Sequence, residues 1–219
     1  MPSATQAETA AVSLRVMELN DVPAAVRLHR ANLASGFFVD LGDRFLCRYY
    51  RTFLTSPAGV ALVAEVDGRS AGFLVGSTDD VVHRRHVMRL DRWNLARTGT
   101  ASLIVRPELI ARFARTRARR FLKGMRHSSP QDTTPLDQVR TGMLSHVAVE
   151  GRLRRAGVGA RLVRGFIDIA KVHGVERLRL YTSYDNEAAQ RFYRRLGWKP
   201  QQVLCDADSR PWVPFVLDL

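Results

Sequence analysis

Only two cysteines occur in 219 residues, Cys47 and Cys205, and no CxxC or CxxH spacing surrounds them. Neither a disulfide framework nor a cysteine-based zinc site is indicated, and a reducing, cytoplasmic setting is expected. Runs of ~18 apolar residues, the length that spans a bilayer, are missing. The opening MPSATQAETA has no basic start followed by an apolar stretch, so no secretory signal is read there. Nucleotide signatures are missing too: no Gly-Lys-Ser/Thr loop, and no G-x-G-x-x-G behind a strand, so nucleotide hydrolysis and hydride transfer lose support. No internal repeat is visible.

Acids are scarce, 21 against 34 Lys and Arg, for a formal net charge of +13. Between His83 and His127 stand thirteen Arg or Lys but only Asp91 and Glu108, which gives this window +11 and leaves +2 elsewhere. The chain reads as a near-neutral protein with one basic insert. Such an excess suits phosphate, nucleic acid or an anionic surface. Nucleic acid is disfavoured, because the insert's aromatics are Trp93, Phe113 and Phe121, two of them on an apolar helix face rather than interleaved with the arginines.

The remaining composition, 46% hydrophobic and 25% charged, is that of a globular chain with one core. Residues 1–11 read as a flexible tail, and 12–219 as a single domain with a helical insert at about 80–130. Strands are expected at Val12–Glu18, Val60–Val66, Ser70–Gly76, Met143–Val149, Arg177–Thr182, Trp198–Cys205 and Trp212–Leu217. Asp67-Gly68 makes the second and third an antiparallel hairpin. A first helix, capped by Asn20 or Asp21, carries Ala25, Leu28, His29 and Leu33 on one face, and further helices are expected at Asp43–Thr55, Arg85–Arg97, Pro107–Arg126, Val158–Val172 and Asn186–Leu196. The class is α/β (α+β).

Two constellations carry chemistry. In HVAVEGRLRRAGVGARLV, Arg154, Gly157 and Gly159 stand as R-x-x-G-x-G between a strand and a helix. Glycines let backbone approach an anion, and the helix start offers free amides and partial positive charge, so a pyrophosphate fits. The alternative is a tight turn with solvated arginines. Downstream, in YTSYDNEAAQRFYRRLGW, Asn186 opens a helix, Tyr193 lies two turns on, and Gly197-Trp198 closes it.

With both motifs in this order, the sequence resembles the GNAT superfamily of acyl-CoA-dependent N-acyltransferases. The resemblance implies a mixed, mostly antiparallel central sheet flanked by helices, from which the basic insertion departs. It also implies acetyl-CoA as co-substrate, with no metal. Backbone groups of Val147, Ala148 and Val149 would pair with the pantetheine arm, and the segment Arg154, Arg155, Ala156, Gly157, Val158, Gly159 and Ala160 would hold the pyrophosphate. Asn186 would touch the pantetheine side, and Tyr193 would protonate the departing thiolate. Many members carry a glutamate base on the strand before the turn. Here that strand reads Met143, Leu144, Ser145, His146, which leaves His146 as the nearest titratable candidate against the plainer reading of a structural histidine. The expected acceptor is a primary amine of a small molecule, open to being anionic. Alternatives are a protein or peptide amine, or a non-catalytic acyl-CoA-binding protein that meets an anionic surface through the insert. A homodimer is left open.

Overall fold

The computed structural model describes residues 12–32, 41–91, 139–206 and 209–219. The tail 1–11, Leu33, the helix expected at Pro107–Arg126 and most of the basic window lie outside these residues. Strand β1 (Val12–Val16) leads through a 3-10 turn at Leu19–Asp21 into α1 (Val22–Asn32), followed by α2 (Asp43–Thr55). The hairpin β2 (Gly59–Val66) and β3 (Arg69–Ser77) turns at Asp67 and Gly68, whose φ values of 52° and 70° are those of a primed turn. Then come α3 (Asp80–His86), β4 (Thr141–Val149), α4 (Val158–Val172), β5 (Arg177–Ser183) and α5 (Glu187–Arg195). The described chain closes with β6 (Lys199–Pro200), β7 (Leu204–Cys205) and β8 (Pro211–Asp218).

The strands form one sheet in the order β1-β2-β3-β4-β5-β8-β6, with β7 also paired to β8. All pairings are antiparallel except β4 with β5. One face of β2, β3 and β4 is covered by α1 and α2, where Val26, Leu46, Tyr50 and Phe53 pack on Val63, Phe73 and Ala148. The opposite face is covered by α4 through Leu162, Val163 and Phe166, and this core continues over β5 and β8 through Leu178, Leu180 and Phe215 to Tyr193 and Trp198 of the α5 region. The fold is the expected mixed, mostly antiparallel sheet flanked by helices.

Two expectations are corrected. The helix expected from Arg85 begins five residues earlier, because Asp79 caps it: its Oδ1 accepts from the amides of Val81 and Val82, both at 2.9 Å. A π turn at Val87–Asp91 follows. The strand expected over Trp198–Cys205 is two short pairings instead: after Pro200 the Gln201 amide still donates to Pro214 O of β8 at 2.8 Å, and the chain then pairs with β8 again only at Leu204.

Candidate active site

β4 and β5 pair only through Thr141–Arg177, Gly142–Leu178 and Met143–Arg179, although β4 runs on to Val149 and β5 to Ser183. Beyond Met143 the two strands part and leave a cleft. On its other side β4 stays bonded to β3, with one irregularity: Val75 faces His146 while Gly76 faces Leu144, so Ser145 is the extra residue of a bulge. The Glu150 amide donates to Ala71 O at 2.8 Å. Alternation along an antiparallel ladder then turns the backbone groups of Val147 and Val149 away from β3 and toward the cleft.

At the end of β4 the chain makes a strained turn into α4. Arg155 has φ 73°, rare outside glycine, and Gly157 caps the helix with φ 80° and open space where a Cβ would stand. The amides of Val158, Gly159 and Ala160, the first-turn donors of α4, have no hydrogen-bond partner among the described residues. Arg152, Arg154 and Arg155 crowd the positive end of this helix, a placement the helix dipole disfavours unless an anion sits there. Arg152 is neutralised by Glu150 at 2.9 Å, and Arg154 reaches across to Asn32 Oδ1 at the end of α1, 2.5 Å away. The residues present therefore fit a pyrophosphate: free amides, no side chain in the way, and surplus positive charge.

α5 packs directly on this turn. The Phe192 ring would lie 3.5 Å from a Cβ at Gly159, and it meets the Tyr193 ring at a centroid distance of 5.1 Å. Asn186 caps α5, its Oδ1 accepting from the Ala189 amide at 3.0 Å. Tyr193 is 7% exposed and packs on Trp198 and Phe215. Its hydroxyl makes no hydrogen bond to a described residue, and burial holds its pKa above that of an ordinary phenol.

His146 lies on the other face of the sheet, so the structure does not bring it against Tyr193. Its Nε2 is 3.2 Å from the Tyr49 hydroxyl, which also hydrogen-bonds Ser145 of the bulge. The His29 ring stands 5.1 Å away, and His29 Nδ1 meets the Tyr50 hydroxyl at 2.5 Å. Burial, with a smaller contribution from His29, pushes the His146 pKa down to about 3, so the imidazole is neutral at physiological pH. His29, Tyr49 and Tyr50 escaped the sequence reading as site neighbours. Their only sequence signal was a polar group recurring on the apolar faces of α1 and α2.

The sequence profile of the acetyltransferase (GNAT) family matches residues 113–198, which include the Arg154–Gly159 turn and α5. Over those residues the chain is similar to the GNAT acetyltransferases. Over 57 residues it is 35% identical to N-alpha-acetyltransferase 30 of Schizosaccharomyces pombe, a stretch equal to 26% of this chain and 38% of that protein. Among solved structures, Ard1 from Thermoplasma volcanium superposes with a TM-score of 0.58 at 18% identity, over 95% of this chain and 98% of that one. The ribosomal-protein-S18-alanine N-acetyltransferase from Escherichia coli superposes with a TM-score of 0.55 at 15% identity, over 95% and 94% of the two chains. At these identities the superpositions establish the GNAT fold. Among the described residues no helix is long and apolar enough to cross a membrane, and no cluster of three metal-ligating side chains occurs.

Proposed function

We propose that the protein is an acetyl-CoA-dependent N-acetyltransferase whose acceptor is the α-amine of a peptide or protein. The observation that carries the reading is the parted β4–β5 pair ending in the Arg154–Gly159 turn, which joins a free strand edge to a cradle of amides. Val147 and Val149 would hold the pantetheine arm along that edge, with Ala148 between them and Asn186 on the opposite wall. Val158, Gly159 and Ala160 would hold the pyrophosphate on their amides, with Arg154, Arg155, Ala156 and Gly157 shaping the turn. Acetyl-CoA supplies the acetyl thioester, an electrophilic carbonyl with a thiolate leaving group.

Tyr193 donates its phenolic proton to the departing sulfur. Its raised pKa keeps that proton in place across the physiological range. His146 serves the amine side. A nitrogen becoming an amide sheds its proton far more readily than an ammonium does, so a weak base suffices once the amine is neutral. The weakness of His146 bears on the acceptor: an alkylammonium with pKa near ~10 is almost wholly charged at neutral pH, whereas an α-amine near ~7.7–8.0 is neutral in roughly a tenth of the molecules. A site whose nearest base is held at about 3 suits the second. The relative named for N-alpha acetylation agrees in kind. The small-molecule acceptor is the other reading. Most residues of the basic insert, on which it would draw, lie outside those described.

The test is thiol release from acetyl-CoA with three acceptor sets: peptides with a free α-amine, the same peptides blocked at the α-amine but carrying lysine, and small amines such as amino sugars. Activity on the first set, with kcat/KM rising through an apparent pKa near 8, is expected. Release only with amino sugars would restore the small-molecule reading, and no release on any set, with no thermal stabilisation by acetyl-CoA, would refute acetyl transfer.

A further inference from the structure

We infer that the face of β5, β8 and β6 that no described helix covers binds acidic residues of the acceptor peptide, so that the enzyme selects acidic N-terminal segments; this rests on the acetyl-transfer reading above. Burial alternates along β5: Leu178, Leu180 and Thr182 point into the α4 core, while Arg179 and Tyr181 point out on the opposite face. That is the face on which α1 and α2 cover β2, β3 and β4, and on which His146 meets Tyr49. Over β5, β8 and β6 no described helix covers it, and it forms an open groove of about 540 Å³.

Its charge is one-sided. Arg177, Arg179 and Lys199 line the groove against a single carboxylate, Asp218, which Arg177 occupies at 2.7 Å. Arg179 makes no ion pair with a described residue, Lys199 makes none within ion-pair distance although its charge reaches Asp218, and both are exposed. Register places them in one row, since Val216 of β8 pairs with Arg179 on one side and with Lys199 on the other. Residues paired across a ladder share a face, so two strand spacings of ~4.8 Å put the two cations roughly 10 Å apart at Cα with apolar Val216 between them. Tyr181 and Pro214 form the next row.

The row also reaches the reaction centre. Arg179 pairs with Met143, the last β4 residue before the strands part, and the Ser145 bulge and His146 follow at once. A peptide whose α-amine enters the cleft at His146 would lay its next residues over Met143 and Arg179 toward Lys199. Two separated cations over an apolar floor match carboxylates spaced along an extended chain. The groove is open and charged on the matching side, which suits a peptide better than an enclosed metabolite.

The test uses the full chain and three peptides identical except at residues 2 to 4, which are acidic, neutral amide or basic. Thiol release gives kcat/KM, and fluorescence anisotropy of the same peptides, labelled at the C-terminus, gives binding in the presence of CoA. Wild type should favour the acidic peptide over the neutral one by about tenfold, with the preference fading as salt rises. R179E/K199E should lose about tenfold on the acidic peptide, gain on the basic one, and melt within ~2 °C of wild type, because both side chains are exposed. Equal acetylation of all three peptides by wild type, or a preference retained in the variant, overturns the inference and leaves acetyl transfer standing. Absence of acetylation together with acidic-peptide binding that the variant abolishes would instead refute the acetyl-transfer reading. It would leave an anion site without the acceptor role, and the inference would fall with it.

Discussion

Replacing Tyr193 by Phe separates catalysis from packing. The ring stays: Phe fills the same space between Phe192, Trp198 and Phe215, and the deleted oxygen has no hydrogen bond to a described residue. No cavity and no orphaned partner result, so stability should change by less than about 0.5 kcal/mol and Tm by no more than ~2 °C. Catalysis should suffer far more. A positioned general acid contributes ~10²–10⁴-fold, which at ~1.36 kcal/mol per tenfold is roughly 3–5 kcal/mol of barrier. The loss should fall on kcat in single-turnover experiments with both substrates saturating, while KM for acetyl-CoA stays put, as expected for a group that acts in the transition state. Burial also holds the Tyr193 proton beyond the ordinary phenol range, so the wild-type rate should show no alkaline limb below pH ~10 that Tyr193→Phe abolishes. A variant with kcat within threefold of wild type while chemistry limits the rate would show that Tyr193 only packs. A Tm drop of many degrees would show that the hydroxyl holds a structural contact.

Gly157→Val should lower Tm by only a few degrees, since a Cβ there meets open space and the cost is the left-handed backbone, about 1–2 kcal/mol; it should abolish the thermal shift given by acetyl-CoA, and a shift of wild-type size would place the cofactor elsewhere. Burial pushes His29 and His83 down to about 4 and His146 to about 3, against ~6.5 in an unfolded chain, so unfolding near pH 5 takes up close to three protons. Their stabilisation is complete above pH ~6.5 and lost as pH falls toward 4 and below, and a urea midpoint that stays flat from pH 7 to pH 5 would refute it.

Where local chemistry decides structure, the sequence could be read directly. Asp43–Thr55 and Val158–Val172 end where Pro57, Gly157 and Gly174 require, and the Asp67-Gly68 hairpin turns on its two left-handed residues. Such signals lie within a few residues of the feature they set. The helix at Asp80 was expected only from Arg85, although Asp79, as an Asp at the N-cap, is itself a start signal. The cleft between β4 and β5 was illegible for another reason. Parting of β4 from β5 is a relation between strands separated by α4, and the Ser145 bulge shows only in the register with β3. Likewise, no spacing rule joins Tyr49 to His146 across 97 residues, or Arg154 to Asn32 across 122.

The cleft also explains why the glycine motif extends past the turn itself. Gly157 supplies the left-handed cap, but Gly159 lies inside α4, where glycine costs helix stability of about 1 kcal/mol. Its role is contact. A Cβ there would meet Phe192 at 3.5 Å and Val149 at 3.6 Å, ordinary van der Waals distances that alanine tolerates, whereas the further methyls of a branched side chain would have to enter the space between them. Those neighbours are the end of the free β4 edge and the α5 residue next to Tyr193. The absence of a side chain therefore sets how closely the first turn of α4, the end of β4 and α5 meet. Widening it would displace Tyr193 relative to the first turn of α4 without touching either, so the second glycine of R-x-x-G-x-G fixes the spacing between the two groups that the proposed mechanism uses.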